Sequence, residues 1–456
     1  MQMRGRPTDE QFRHKMDLMI SHLKTGIMEK KFAIGEYLPS EKALSKQFGL
    51  GNLSVRKGLE QLADDGWIEK VPNVGNRVIT SRTTVTLTVG CNETTIRNAA
   101  LPKLMEDFKR ICPWINVQIK LFSSGSLPFH MQGSPEYDLL LLSVLDFQML
   151  GLDNKADMLE TLPENKRMYP ILNRLFMHEG QQRMQPIIFS PIVLCYNRRH
   201  FREKGLAEPT GAWTWDDLVR HAELLTDGER YGFCFHLPDT NRWPIFLLQS
   251  AIAVRGEKLT KESGDRESFL ACVRLCKSIV HNRKVFPMYM SEGNEDISKM
   301  FQQGKLSMVI SSYMGMNVWR DSGIAFDVAP LPFISEPRTF VLATGAGISS
   351  SSSRKEEAGA FLDYMTSERA QSLLRCHSFS IPAMQTAEAP VGETGCLPTP
   401  DRYAMFREIM FSYRTHADLP IPLTALAPMT TYLKAYWADM ISEQELLEKL
   451  DTCLTE

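Results

Sequence analysis

The stretch LPSEKALSKQFGLGNLSVRKGLEQL, residues 38–62, restricts the fold of this chain more than any other. It reads as two short helices about a tight turn. Ser40 is a good N-cap, and Glu41 sits at the positive end of the helix dipole. Ala43, Leu44 and Phe48 are expected to face inward, and Gly49 permits the turn. A second helix begins near Gly51 or Asn52. Leu53, Val55, Leu59 and Leu62 supply its apolar contacts, and Gly66 closes it as the C′ residue. Upstream, Thr8-x-x-Gln11 fits a capping box, and Phe12, Met16, Met19, Leu23 and Ile27 recur at helical spacing. Downstream, WIEKV and NRVIT are two extended runs joined through Pro72-Asn73-Val74-Gly75, a hairpin wing. A helix held at the surface by a rigid neighbour can place its first turns in a major groove about 12 Å wide. Asn52 and Arg56 there suit base edges, and Ser54 and Lys57 suit phosphate oxygens.

Charge agrees with that geometry. The 456 residues carry a net charge of −2. Residues 1–82 hold 14 Lys/Arg against 10 Asp/Glu, so the head is positive and the remainder negative. A composition of 43% apolar and 23% charged residues excludes a disordered or fibrous chain. The length suggests two to four domains, at roughly 100–200 residues each. The first residues, MQMRGRPTDEQFRHK, have no apolar core like that of a signal peptide, and no run of about 18 apolar residues suggests a membrane span. The nine cysteines are odd in number and scattered. Cys272 and Cys276 are i,i+4 on an expected helix, with His281 as a poor third metal ligand. Unpaired thiols and a cytoplasmic location are therefore expected.

Residues 35–78 resemble the winged-helix head of GntR-family transcription regulators. The matching positions are Gly35, Leu38-Pro39-Ser40-Glu41, Leu44, Phe48-Gly49-Leu50, Ser54-Val55-Arg56, Leu59, Leu62, Gly66, Gly75 and Val78. The resemblance implies binding to double-stranded operator DNA as a homodimer. It implicates Lys42, Asn52, Leu53, Ser54, Arg56 and the wing around Asn73. The family's Ser-Arg at the helix start is Gly51-Asn52 here, so a usual base-reading arginine is absent. The first wing glycine is Asn73, which tolerates a left-handed conformation.

Near residues 80–84 the chain turns polar and β-branched (TSRTTVTL), which sets a boundary between 1–82 and 83–456. VTLTV, LPKLMEDFKRI, INVQIKL and YDLLLLSV then alternate strand and helix, implying an α/β body with a largely parallel sheet. In such sheets ligands sit beyond the carboxyl ends of the strands. From about 85 to 385, an ordered series resembles the family-1 extracellular solute-binding proteins of sugar transporters. Its pieces are CYNRRHFREKGL, TWDDLVRHAELLT with YGFCF, MFQQGKLSMVI, PLPF, and AGAFLDYMTSERAQSLL. That resemblance implies a type II, periplasmic-binding-protein-like body of two lobes. A sugar or oligosaccharide effector is held between them, and the chain first crosses at Phe189-Ser190-Pro191. The expected ligand contacts are Asn92, Glu93, Ser143, Ser190, Asn241, Arg242, Trp243, Ser312 and Tyr313. Trp213 and Trp215 are expected in the core. The pattern after 400 is helical, with Ser442-x-x-Glu445 starting the last helix and Tyr432, Trp437, Ile441, Leu446 and Leu450 on one face.

Enzymatic readings fare worse. An aminotransferase-like body would hold pyridoxal phosphate on a lysine. The nearest serine cluster, SSSSSRK, lacks an apolar strand before Lys355. Gly304-Lys305 has no phosphate-loop pattern around it, and no HExxH or nucleophile-elbow pattern appears. No cofactor or metal is expected. A binding module whose head has lost DNA affinity is the remaining alternative.

Overall fold

The computed structural model describes residues 9–122, 136–260, 265–287, 291–387 and 396–455. Thr8 of the expected capping box lies outside them, as does the side chain of Phe12. The head is a three-helix unit with a hairpin: α1 (Asp9–Met28), α2 (Glu41–Phe48), α3 (Asn52–Asp64), β1 (Ile68–Val71) and β2 (Gly75–Val78). Met19, Leu23, Ile27, Leu44, Val55, Leu59, Leu62, Trp67 and Val78 form its core. Local rules set the ends of the elements. The Ser40 side chain accepts from the Ala43 N–H, and Gly49 (φ 60°) and Gly66 (φ 74°) adopt the left-handed turns that end α2 and follow α3. Asn73 takes φ 62° at the wing tip. Two inward expectations are corrected. Ala43 is exposed, because its capped N–H places it on the outer first turn. Leu53 is 71% exposed, since it lies on the opposite side of α3 from Val55 and Leu59.

The body is built on one mixed sheet. Its first part is β3 (Val85–Cys91), α4 (Glu93–Asn98), α5 (Leu101–Ile111), β4 (Ile115–Leu121), β5 (Leu139–Ser143) and α6 (Val144–Leu152). A long strand follows, β6 (Gln185–Asn197), then α7 (Trp215–Leu225), β7 (Tyr231–Cys234) and α8 (Arg266–His281). Next come α9 (Asn294–Gln302), β8 (Leu306–Ser312), α10 (Tyr313–Met316), β9 (Phe326–Ala329) and β10 (Thr339–Ile348). Toward the C-terminal end follow α11 (Lys355–Met365), α12 (Glu368–His377), α13 (Leu426–Trp437) and α14 (Glu443–Thr455).

Strand order is β4-β3-β5-β10-β6-β8-β7, with β9 also on β6. The pairs β3/β4, β3/β5 and β8/β7 are parallel, whereas β6 runs antiparallel to β8, β9 and β10, and β10 also to β5. The sheet is thus mixed rather than largely parallel, because these two long strands carry the chain between lobes. β6 pairs with β10 through Gln185–Pro191 and with β8 from Ile192 onward, so its partners change just past Ser190. One core lies between the first-lobe sheet and α5, α11 and α12. A larger one runs from the opposite face of that sheet into the second lobe. Trp213 and Trp215 are in the larger core, and Thr214 caps α7 with a capping box. The last two helices pack on the second lobe, where Arg274 and Arg266 of α8 pair with Glu443 and Asp451. The Ser442–Glu445 capping interaction forms.

The cysteine expectation is corrected in one place. Cys376 and Cys396 form a disulfide. The Leu397 N–H bonds to the Cys376 carbonyl at 2.9 Å, which brings a chain segment 20 residues on against the end of α12. The other seven cysteines form no disulfide, six of them buried and Cys112 half-buried. Cys272 and Cys276 are two of these core thiols. Among the described residues no helix is long and apolar enough to cross a membrane.

Candidate functional site

The outer face of the head collects the residues that α3 and the wing expose. Lys42, Asn52, Leu53, Arg56, Lys57 and Asn73 are exposed, and Ser54 is half-buried. Gly51 caps α3 without a side-chain bond, so the first N–H groups of α3 have no side-chain acceptor and suit a phosphate oxygen. Arg56 Nε lies 2.8 Å from Glu41 on α2. This pair anchors one edge of the guanidinium, and its side chain remains 60% exposed. Val74, 63% exposed at the wing tip, joins this surface; a turn pattern gives no clue to its exposure.

Between the lobes lies a cavity of about 380 Å³. Its position follows from the topology. β3, β5 and β8 end at this crevice, and each is followed at once by a helix. The residue at each strand-to-helix junction is a cap: Asn92, Ser143 and Ser312 all line the cavity. Asn92 Oδ1 accepts the Thr95 N–H at 2.9 Å, Ser143 Oγ the Asp146 N–H at 3.1 Å, and Ser312 Oγ the Gly315 N–H at 3.0 Å. Caps sit where the chain leaves a sheet, which is also where an α/β crevice opens. Asn241 and Arg242 reach the same cavity from the second lobe.

The remaining expected contacts lie elsewhere. Glu93 is exposed on the first turn of α4, outside the lining. Ser190 is fully buried at the crossing, where its hydroxyl accepts the Met314 N–H at 3.2 Å and donates to the Pro191 carbonyl. Trp243 and Tyr313 are in the core. The Trp243 indole donates to Thr430 Oγ1 (2.9 Å), and the Tyr313 hydroxyl to the Tyr403 carbonyl (2.9 Å). Each spends its polar group on the second lobe and its tail. Lys355 begins α11 and pairs with Glu160 at 2.7 Å, away from the cavity.

Residue patterns missed much of the lining. Arg97 and Asn98 on α4, Asp146 on α6, Asp239, Glu295 on α9, Trp319 and His416 all contribute. They come from six separate stretches or turns, and only Asp146 carries a local signal, as the third residue after a serine cap. Arg97 of the first lobe meets Glu295 of the second at 3.7 Å, closing one side of the crevice. Asp239 accepts from the Asn241 N–H at 2.6 Å and from the Asn294 side chain. Its burial favours the neutral acid, but the nearby Arg242 charge and these bonds hold its pKa below the usual carboxylate range. Asp146 goes the other way: burial raises it against the Ser143 hydrogen bonds. Burial lowers His416, which stacks on Phe340 at 4.4 Å and meets the Thr240 carbonyl at 3.1 Å.

Among the described residues, three that line the cavity each carry a buried atom without a hydrogen-bond partner: Asn98 Oδ1, Arg242 Nε and Trp319 Nε1. Arg242 is 5% exposed, and among the described residues its guanidinium makes one long bond, to the Asn241 carbonyl at 3.4 Å. The Trp319 ring packs between Phe301 and Phe326 at 4.7 and 5.2 Å and lines the cavity. A buried donor left without an acceptor costs about 1–3 kcal/mol. Polar residues from both lobes lining one space suit a polar molecule rich in hydroxyl groups.

Comparisons with known proteins agree with the geometry. Residues 92–372 match the bacterial extracellular solute-binding protein family, and residues 19–78 match the gntR family of bacterial regulatory proteins. Binding proteins of Brucella abortus and Brucella suis are 24% identical over 196 residues, 41% of this chain and 47% of theirs. The chain thus spans about half the length of these relatives. An ABC substrate-binding protein from Listeria monocytogenes in complex with cycloalternan superposes with a TM-score of 0.68 at 19% identity, covering 82% of this chain and 98% of that one. A maltose-bound T. maritima MalE3 gives 0.69 at 17% identity, covering 82% and 99%. A maltotriose-bound Thermus thermophilus binding protein gives 0.65 at 14% identity, covering 81% and 99%. At these identities the likeness concerns the fold.

Proposed function

We propose, for a chain that belongs to the bacterial extracellular solute-binding protein family and carries a gntR-family DNA-binding head, a ligand-responsive transcription regulator of the cytoplasm. Its effector is a sugar or short oligosaccharide held between the lobes. Asn92, Ser143, Asn241, Arg242 and Ser312 meet it, joined by Asn98 and Trp319. The cavity's size, near the low end of the range for small-molecule sites, favours a small saccharide. Two chains pair so that their α3 helices sit about one DNA turn, roughly 34 Å, apart on operator DNA. Arg56 and Asn52 read bases there, while Lys42, Ser54, Lys57 and the wing at Asn73 hold the backbone, with Leu53 against a thymine methyl. Lobe closure on the effector changes how the heads meet DNA.

One observation supports this reading: a single chain joins an exposed helix of a gntR-family head to an interlobe cavity whose lining residues carry, among the described residues, three buried polar atoms without partners. The test selects duplex DNA from a random-sequence pool with the full chain and screens mono- and disaccharides by thermal shift. A specific, salt-sensitive duplex and a stabilising saccharide are expected. A duplex without any saccharide would leave a regulator of another effector class. A saccharide without any duplex would favour the plain binding module.

A further inference from the structure

The head does not hang free of the body. Arg369 on α12 forms a two-pronged ion pair with Asp107 on α5, Nε and Nη2 each 2.7 Å from a carboxylate oxygen, and Tyr364 donates to the same carboxylate at 2.9 Å. Its remaining nitrogen reaches Asp17 of α1 at 2.5 Å. Trp67 of the head meets Trp114 of the body at 5.1 Å. Lys24 and Arg82 lie over both rings, and Lys24 also bonds Asp65 and the Ile111 carbonyl at the end of α5. Among the described residues, every hydrogen bond, ion pair and ring contact between head and body reaches the first lobe. The helix that seats the head, α5, is joined directly to α4, which supplies Asn92, Arg97 and Asn98 to the cavity. The joint is Ala100, in a left-handed conformation (φ 46°, ψ 38°) that a side chain disfavours.

We infer that α4–Ala100–α5 is a lever that carries closure of the cleft to the DNA-reading head through two clamps, Asp17–Arg369–Asp107 and Trp67–Trp114. The inference rests on the function proposed above and adds the route of its regulation. Arg97 and Asn98 move with whatever closes the crevice, because Arg97 already bridges to Glu295 of the second lobe. Rigid helices and a bidentate ion pair transmit that displacement to α1 without a ligand touching the head.

The test needs no identified effector. Arg97→Cys with Glu295→Cys, joined by a short bismaleimide, holds the lobes together in the full chain. Native thiols with pKa values raised by burial, among them buried Cys91 and half-buried Cys112 at about 11 and buried Cys272 at about 12, are poor competitors. The probe is the duplex selected from a random pool by the unmodified chain. Cross-linking is expected to change its affinity at least about fivefold relative to the same protein before linking. In the background of Asp17→Asn with Trp114→Ala the change is expected to vanish, while binding before linking stays as in the parent. Asp17→Asn leaves the Arg369–Asp107 pair intact, so the lobe keeps its buried partner; Asp17→Asn alone is the milder variant should the double change unfold. An equal change with and without the clamps, or none in either, would overturn the inference. A parent that selects no duplex would refute the reading of the head and the inference with it, and is recognised before any cross-linker is added.

Discussion

Replacing Trp319 by phenylalanine separates binding from packing. The indole packs against Phe301 and Phe326, and phenylalanine preserves a six-membered ring in that stack. What it removes is Nε1–H, which has no partner among the described residues, and the outer part of the larger ring. Loss of an unsatisfied buried donor relieves about 1–3 kcal/mol. Loss of buried ring atoms costs roughly 1–2 kcal/mol. The two largely offset, so stability is expected to fall by no more than about 1 kcal/mol or rise by no more than about 2 kcal/mol, a shift of a few degrees by calorimetry. Ligand affinity behaves differently. One hydrogen bond to a neutral hydroxyl contributes about 0.5–1.5 kcal/mol, so the saccharide found by screening should bind roughly 2- to 12-fold more weakly in a calorimetric titration. Trp437 provides the control. Its Nε1 is equally buried and unpartnered, but it belongs to α13, outside the cavity. Trp437→Phe should leave the affinity unchanged. Equal affinities for Trp319→Phe and Trp437→Phe would remove Trp319 from the binding site and undercut the use of unpartnered atoms to find it.

Other perturbations probe the remaining parts. Arg56→Ala should weaken the selected duplex by about 1–3 kcal/mol in a gel-shift titration, with little change in melting; unchanged affinity removes Arg56 as a base reader. Trp243→Ala should destabilise the body by about 3–5 kcal/mol in denaturant titration, because the side chain is 2% exposed and bonded to Thr430; a stable variant with weakened saccharide binding would return Trp243 to the cleft. Asp107 sets an acid response. Burial works to raise its pKa, but the Arg369 pair and the Tyr364 bond hold it below the usual value. A carboxylate whose pKa is depressed by folding stabilises the protein fully above its unfolded pKa, about 3.9, and loses that contribution as pH falls through the folded value. Asp107→Asn should therefore be less stable at pH 7 and lose stability less steeply below pH 4; an unaltered pH profile would contradict the assignment.

Much of the head was legible because short-range rules decide it. Ser40, Gly49, Gly66 and Asn73 have conformations that chain neighbours alone require. Leu53 shows the limit of that logic: an apolar residue on a surface helix packs inward unless something outside needs it, and only its place on α3 shows which. In the body, strand ends led to Asn92, Ser143 and Ser312, since a cap at a strand-to-helix junction is at once a local signal and a crevice position. Aromatic residues gave no such guide. Trp243, Tyr313 and Trp319 follow similar patterns, yet the first two bond to the tail at Thr430 and Tyr403, and the third lines the cavity. That choice depends on the packing of residues 400–455, far along the chain. The Cys376–Cys396 bond and the antiparallel course of β6 and β10 are likewise long-range outcomes with no local cue.

Coupling between the two ends of the molecule is measured most directly by titrating the screened saccharide into the full chain, alone and saturated with its selected duplex. Linkage requires any effect of ligand on DNA to appear equally as an effect of DNA on ligand. A 5- to 150-fold difference between the two saccharide dissociation constants is predicted, corresponding to about 1–3 kcal/mol. Identical constants would mean that the cleft and the head, though on one chain, do not sense each other.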